Sequence, residues 1–431
     1  MWENWSGELA WTPARVVRPV GTLGVAEAMW EAAERGLRIR PAGAAHSFTP
    51  LVVTDDVLVD LGAMNQLLEV DADRGRVRVQ AGIRLGELAE ALAGRGLALE
   101  NLGDIDRQTL AGAIGTATHG TGARLGNLST QVEALRLVDG RGQVHEIVGG
   151  DRLRAVRVGL GALGVITEVV LRVVPAYTLC GRDRTEPLEE VLETFDERVD
   201  GHRHFELFAF PFSDRAITRT NDVVDAPPRP PTSVRAWYED RLITTHALSA
   251  VSRIGRRLHA TVPPLNRLVT SLAGERTRID AAHRVFASAR DVRFTEMELA
   301  VPRVAGVTLV REILELVQRE RLPVSFPVEV RTAAGDDALL SPAHARDSVY
   351  VAAHAFVGMP FSEYFEAVWE LGRRHGARPH WGKRHPATAA DLRPLYPRWD
   401  DFQTVRAQLD PEGRLATPYL ERILGPRGRR G

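Results

Sequence analysis

Leu37-Arg38-Ile39-Arg40-Pro41-Ala42-Gly43-Ala44-Ala45-His46-Ser47-Phe48-Thr49 is the stretch around which the chain is organised. A short strand at Leu37–Arg40 runs into a turn of small residues. Ala42-Gly43-Ala44-Ala45 presents backbone N–H groups with almost no side-chain bulk in front of them, which suits a turn wrapped around a phosphate. His46 stands at the exit of that turn. Two more stretches of small residues can close on the same ligand. One runs from Gly103 to Gly122 and contains Gly112-Ala113-Ile114-Gly115-Thr116-Ala117-Thr118-His119-Gly120-Thr121-Gly122. The other runs from Gly159 to Thr167 and reads GLGALGVIT.

At 431 residues the chain is long enough for two domains, because single cores stop growing at roughly 250–300 residues. Its 55 basic and 56 acidic residues nearly balance, so no net field recruits nucleic acid or an anionic membrane surface, and a small, weakly charged ligand is the expected partner. The lone cysteine, Cys180, forms no internal disulfide and no cysteine metal cluster, and is expected in the core. The N-terminal MWENWSGELAW has no apolar block of signal-peptide length, and nowhere do about 18 apolar residues run together; the expected compartment is the cytoplasm. Of the 55 basic residues 54 are Arg, and Lys383 is the single Lys. A Lys that survives such a bias is a candidate for work a guanidinium cannot do, since an ammonium is compact and its pKa shifts readily on burial.

Helical spacing over 22–36, ending at Gly36, predicts a helix before the opening strand, and a second helix is expected at Leu85–Gly94. Short alternating runs at Val57–Leu61 and Arg76–Ala81 read as strands. Gln131–Val138 and Gln143–Val148 read as a hairpin through Asp139-Gly140-Arg141-Gly142. Asn101–Gly122 lacks apolar periodicity and reads as loop backbone approaching a ligand. Gly159-Leu160-Gly161-Ala162-Leu163-Gly164 formally matches the G-x-G-x-x-G dinucleotide fingerprint. That fingerprint needs a helix directly after it, whereas Val165–Val174 is β-branched and strand-like, so a Rossmann unit is disfavoured. Beyond Pro175 the texture changes: a helix at about 187–199, a strand at His204–Phe210, a Pro-rich linker at Asp225–Pro231, helical sequence over 241–275 interrupted by Pro263-Pro264, and an amphipathic helix at Val307–Glu320. The Gly-Arg tail 425–431 is expected to be disordered.

Taken together, the AHS turn at 45–47, GTATHGTG at 115–122, GALGVIT at 161–167, FPVEVR at 326–331, RPHWGK at 378–383 and LDPEGR at 409–414 resemble FAD-linked oxidases of the vanillyl-alcohol-oxidase type, and within them the sugar-1,4-lactone oxidases. The resemblance spans nearly the whole chain. It implies an α+β architecture: a two-subdomain FAD-binding domain over 1–175, an α+β substrate cap over 176–384, and a C-terminal segment, 385–431, that returns to the FAD domain. It also implies that Pro41, Ala42, Gly43, Ala44, Ala45, His46 and Ser47 wrap FAD. The second small-residue stretch would contribute Gly103, Asp104, Thr109 and Gly112, then Ala113, Gly115 and Thr116, and finally Thr118, His119 and Gly120. Gly161, Gly164 and Ile166 would come from the third, with His380 and Lys383 at the flavin ring. His46 matches the position that commonly carries FAD covalently; the plainer reading is a loop histidine donating to a phosphate or a carbonyl. His119 reads as loop support.

Gly103 matches the residue beside the flavin C4a–N5 edge, where Gly leaves room for oxygen and Ala restricts it; a turn glycine is the plainer reading. Oxygen is therefore the expected acceptor, with H2O2 as product. Glu329 and Arg331 lie two residues apart on one strand face, which in most proteins means a surface ion pair. In lactone and alditol oxidases, however, an E-x-R strand and an H-W-[GA]-K loop converge at the flavin, and here these are Glu329 with Arg331 and His380-Trp381-Gly382-Lys383. Arg331 and Lys383 would stabilise negative charge on the flavin N1–C2=O side and orient the substrate hydroxyl, while Glu329 would bind substrate hydroxyls or hold the two cations. The acceptor of the hydroxyl proton stays open, a Lys of lowered pKa being one candidate. His354 is read either as a core histidine or as a substrate contact. His375, His380 and His385 do not share a helix face, and no metal site is read. The expected reaction is oxidation of a carbinol carbon of a gulono-, galactono- or arabinono-type sugar-1,4-lactone. Alternatives are an alditol substrate, a nicotinamide-dependent reductase resting on GLGALG alone, and a non-catalytic flavin-binding protein, in which Glu329, Arg331 and Lys383 have no reason to meet.

Overall fold

The computed structural model describes residues 1–230, 255–287 and 292–426. Three expectations, the end of the Pro-rich linker at Pro231, the helical sequence over 241–254 and the tail from 427, lie outside the described residues.

Around the opening stretch the chain forms a small parallel sheet, with Val57–Asp60 between Arg15–Val17 and Ile39–Ala42. Helix Thr22–Glu34 connects the first strand to the Ile39–Ala42 strand, burying Val25, Ala26, Ala28, Met29 and Ala32 at helical spacing. It stops where expected: Gly36 takes φ of +66°, and its N–H and that of Leu37 return to the carbonyls of Ala33 and Ala32. Because Leu37 is spent on that cap, the strand begins at Ile39, two residues later than its sequence suggests.

A five-stranded antiparallel sheet follows, ordered Val144–Ile147, Val132–Val138, Val165–Arg172, Arg76–Gln80 and Leu67–Asp71. The first two are the expected hairpin. Val165–Arg172 is the strand that follows GLGALG, so the fingerprint match does not open a helix. Within 101–122, read as loop throughout, a one-and-a-half-turn helix forms at Leu110–Gly115; Leu110, Ala113 and Ile114 have helical spacing and are buried, but the intervening Ala and Gly mask it.

The largest element is an eight-stranded antiparallel sheet. Its order is Arg276–Ala281, Thr178–Pro187, Arg215–Val224, His204–Ala209, Val328–Ala333, Ser348–Phe356, Phe294–Pro302 and Arg378–Pro379. Helices Gly306–Arg319 and Ser362–Arg374 cover one face. Their Leu309, Val310, Ile313, Val317, Tyr364, Phe365, Val368 and Trp369 pack on Met297, Leu299, Val330, Val349 and Val351. Alternation then turns Glu296, Glu298, Glu329, Arg331 and His354 to the opposite face. The helix expected at 187–199 is two, Leu188–Glu193 and Phe195–Gly201, broken at Thr194, whose hydroxyl bonds back to the Glu190 carbonyl. Pro263-Pro264 does not interrupt a helix but opens Val262–Leu272, where the missing N–H groups cost nothing.

One residue ties distant parts together. Arg40 is fully buried, and its guanidinium donates to the carbonyls of Leu51, Leu160, Gly161 and Leu415 at 2.7–3.0 Å.

Candidate active site

The three small-residue stretches line one cleft. Residues 41–47 form one wall, Thr109, Gly112, Gly115 and Thr116 a second, and Gly161, Gly164 and Ile166 a third. Sequence reading missed the rest of the lining, including Leu51, Val52, Gln108, Leu137 and Leu163, because scattered aliphatic residues carry no mark of a ligand. Ala113 is fully buried and belongs to the apolar core.

The wall is cut close. A Cβ at Gly43 would lie 2.0 Å from Thr109 Oγ1, so only glycine lets the turn meet the helix at Leu110–Gly115. Ala45 adopts φ of +51°, a left-handed conformation worth roughly 1–3 kcal/mol of strain in a non-glycine residue, of the kind that surrounding contacts hold in place at functional sites. His46 follows it. Its Nδ1 is buried without a hydrogen-bond partner, and burial, reinforced by Arg84, Lys383 and Arg107, pushes its pKa down to about 4. The ring is therefore neutral at physiological pH. Among the described residues, no carboxylate lines the cleft. Apolar walls, small-residue backbone and orphaned polar atoms that include His46 Nδ1, Gln108 Oε1 and Thr109 Oγ1 fit a large dinucleotide with a flat ring and a pyrophosphate.

Beyond His46 the cleft's neighbours meet the polar face of the large sheet. The Phe48 N–H donates to the Gly382 carbonyl (2.8 Å), the Thr49 hydroxyl to the Trp381 carbonyl (3.2 Å), and the Lys383 ammonium lies 5.3 Å from the Phe48 ring centroid. On the sheet itself, Glu329 sits across from Ala352 and Arg331 across from Tyr350, while Glu296 faces His354 on the next strand. Arg331 is held by Glu329, by Asp104 at 3.1 Å and by Glu206 at 3.4 Å. Lys383 pairs with Glu296. His354 Nε2 lies 3.5 Å from Glu329 and 3.7 Å from Glu296, with its Nδ1 3.3 Å from the Pro327 carbonyl. The structure thus brings Glu329, Arg331, His354 and Lys383 into one buried group.

His119 does more than support its loop. Its Nδ1 meets the Gly120 carbonyl at 2.8 Å, its Nε2 meets Glu298 at 3.1 Å, and its ring stacks on Tyr350 at 3.7 Å. His380 approaches the same spot, near enough to His119 and Glu298 to suggest a metal triad. Its Nδ1, however, accepts the Gly382 N–H at 3.1 Å, which leaves the ring proton on Nε2, the atom a metal would need. Burial pushes the His380 pKa down to about 3. Gly103 packs against the 118–120 backbone, so that a Cβ there would touch the His119 carbonyl and the Thr118 methyl at 3.3 Å. Gly120 is tighter still, since a Cβ there would fall 2.2 Å from the Leu102 carbonyl.

Charge is unevenly divided here. Five carboxylates, Asp104, Glu206, Glu296, Glu298 and Glu329, lie around Arg331 and Lys383, and Arg219 reaches Glu206 at 3.9 Å. Burial alone would lower both cations, but Asp104, Glu329 and Glu206 raise Arg331 well above its usual value, and Glu296 and Glu298 raise Lys383. Lys383 is therefore held as an ammonium, and the sequence-based candidate of a Lys of lowered pKa falls. Burial also pushes Glu206 up, against the pull of Arg331 and Arg219. Burial acts the same way on Glu298, yet His119 outweighs it and holds that carboxyl well below the usual range. Glu206, Glu296, Glu298 and Tyr350 were not singled out from sequence. The period-2 spacing in Thr295-Glu296-Met297-Glu298 was the available signal, since two carboxylates on one face of a buried strand demand partners.

Compared with known proteins, residues 13–147 match a family model described as an FAD binding domain. Cholesterol oxidase from B. sterolicum shares the architecture with a TM-score of 0.82 over 98% of this chain and 96% of that one, at 19% identity. The chain is therefore an FAD-binding flavoprotein with the vanillyl-alcohol-oxidase type of fold. Residues 169–423 match the model of D-arabinono-1,4-lactone oxidase. The L-gulono-1,4-lactone dehydrogenase of Mycobacterium tuberculosis (strain ATCC 25618 / H37Rv) is 45% identical over 99% of both chains. L-gulonolactone oxidase of Bos taurus is 32% identical over 98% of this chain and 97% of its own. The chain belongs to the D-arabinono-1,4-lactone oxidase family.

Proposed function

We propose that the protein oxidises a carbinol carbon of a gulono-, galactono- or arabinono-type sugar-1,4-lactone, with FAD joined to His46 through Nδ1 and O2 as the final acceptor. The observation that carries the reading is the buried meeting of Glu329, Arg331, His354 and Lys383 beside the cleft wall that ends in His46. FAD, when bound, supplies a hydride acceptor at N5. Residues 41–47, with Thr109, Gly112, Gly161 and Gly164, would hold it, since all of them line the cleft. Arg331 and Lys383, kept cationic by their carboxylates, orient the substrate hydroxyl and offset developing negative charge. Glu329 accepts hydrogen bonds from substrate hydroxyls while fixing Arg331. His354 takes the hydroxyl proton at Nε2, its Nδ1–H donating to the Pro327 carbonyl and the Glu296 and Glu329 carboxylates stabilising the resulting charge.

The same reading assigns the cofactor domain to 1–175, the cap to 176–384 and a returning segment to 385–431, supported by family matches to 13–147 and 169–423. A single buried thiol, Cys180, supports the cytoplasm as its compartment. No helix among the described residues is long and apolar enough to cross a membrane. Incubating the holoenzyme with aldonolactones and alditols and following peroxide release tests the reaction. Lactones giving peroxide is the expected result. Turnover of open-chain polyols alone would move the substrate class, and flavin bleaching by lactone without reoxidation in air would remove O2 as acceptor.

A further inference from the structure

Residues near the start of the chain reach both halves of the site. Asn4 is buried, and its Nδ2 donates to the carbonyl of Ser47 at 3.0 Å. Its Oδ1 accepts the N–H groups of Glu8 and Leu9 at 3.1 and 3.0 Å, folding the segment into a compact turn. The Trp5 N–H donates to the carbonyl of Ala45 at 2.9 Å. Consecutive residues therefore pin the backbone on both sides of His46. The Trp5 indole lies against the His46 ring, centroids 6.1 Å apart and planes 25° from parallel, and is itself fixed edge-on by Phe48 and Phe294. At the far end Glu8 pairs with Arg384 at 2.8 Å. Arg384 follows Lys383 and holds the Glu296 strand through the Thr295 hydroxyl (2.5 Å) and the Glu296 carbonyl (2.9 Å).

We propose that Asn4–Glu8 is a strap that keeps the His46 turn and the Lys383 loop in register, and that Trp5 is a positioning residue which aims the His46 ring for its bond to FAD. This rests on the covalent reading given above. His46 Nδ1 has no hydrogen bond to fix the ring, so packing must set its rotation, and Trp5 presents an aromatic plane tilted only 25° from it. In the attachment step the imidazole nitrogen bonds to the 8α carbon, its N–H proton and one 8α hydrogen are released, and the electron pair passes into the flavin, so that linked cofactor emerges reduced. Dioxygen then takes the electron pair and two protons as H2O2. Such a step depends on near-attack geometry, and a misplacement of about 1 Å costs on the order of 100-fold. Cofactor binding rests on the cleft backbone and does not need the indole.

The test compares wild type, Trp5→Ala, Trp5→Phe and His46→Ala, each incubated with FAD after purification from riboflavin-starved cells. Total FAD is read from the native absorbance, and linked FAD from the colour and fluorescence retained after acid precipitation. The expected result is unchanged total FAD in all four, no linked FAD in His46→Ala, attachment slowed about 10- to 100-fold in Trp5→Ala, and near-normal attachment in Trp5→Phe. Equal attachment in Trp5→Ala and wild type overturns the role of Trp5 while leaving the His46 bond standing. Loss of all FAD binding in Trp5→Ala makes the residue merely structural and overturns it too. Absence of acid-stable FAD in wild type, or its persistence in His46→Ala, sinks the covalent reading and this inference with it.

Discussion

Lys383 is the one Lys beside 54 Arg, and its ammonium sits between the Glu296 carboxylate and the Phe48 ring. Lys383→Met should lower kcat by about 100- to 1,000-fold, the usual loss for one electrostatic donor, and leave the flavin spectrum unchanged. Near-normal turnover would remove Lys383 from the chemistry. Gly103→Ala would press a methyl on the His119 carbonyl and Thr118. It should slow reoxidation by air at least tenfold relative to reoxidation by an artificial dye, measured by stopped flow after anaerobic reduction; equal slowing with both acceptors would argue for a merely structural glycine. At this scale the sequence was informative where spacing and rarity coincide, as in Glu329-x-Arg331 and the lone Lys. It was silent on Glu206, whose importance comes from a cross-strand neighbour more than a hundred residues away.

Among elements, the turn at 42–46 and the helix at Leu110–Gly115 form one unit, because Gly43 lets them touch. Gly43→Ala should therefore abolish or strongly reduce FAD content, read as the ratio of flavin to protein absorbance, while the separate eight-stranded sheet still folds by circular dichroism. Full FAD occupancy would show that the turn can shift away. The glycine was legible in the sequence, but the helix was not, because three buried positions diluted by Ala and Gly carry little periodicity. The break at Thr194 was hidden for a different reason. Leu188, Val191, Leu192, Phe195 and Val199 keep a helical apolar pattern through it, so nothing in the spacing marks the break.

For the molecule as a whole, burial of ionisable groups sets the response to acid. His204, His380 and His385 have pKa values pushed down to about 4, 3 and 3, chiefly by burial. Free histidine titrates near 6.5, so below that pH the unfolded chain binds more protons than the folded one, and stability falls as pH drops towards about 4. Each group contributes up to about 1.4 kcal/mol per pH unit, or about 4 kcal/mol for the three. Asp336, pushed up to about 6 by burial, works the other way between about pH 4 and 6 and offsets roughly one of them. Melting temperature should therefore decline progressively from pH 6.5 to 4.5; a flat profile would show that these rings take up protons without unfolding. The FAD-binding fold was readable because its motifs are dense in small residues and fall in order along the chain. The polar face of the large sheet was not, because it is assembled from strands whose order in space differs from their order in sequence.

Arg40 gathers carbonyls from Leu51, Leu160, Gly161 and Leu415, and the Ile39 N–H donates to the carbonyl of Arg414. A nascent polypeptide leaves the ribosome N-terminus first, so the buried Arg40 cluster beside the cleft closes only once residue 415 has been made. A product terminated before residue 415 would keep three of those four carbonyls and leave the guanidinium short of the one that reaches it from the far end of the chain.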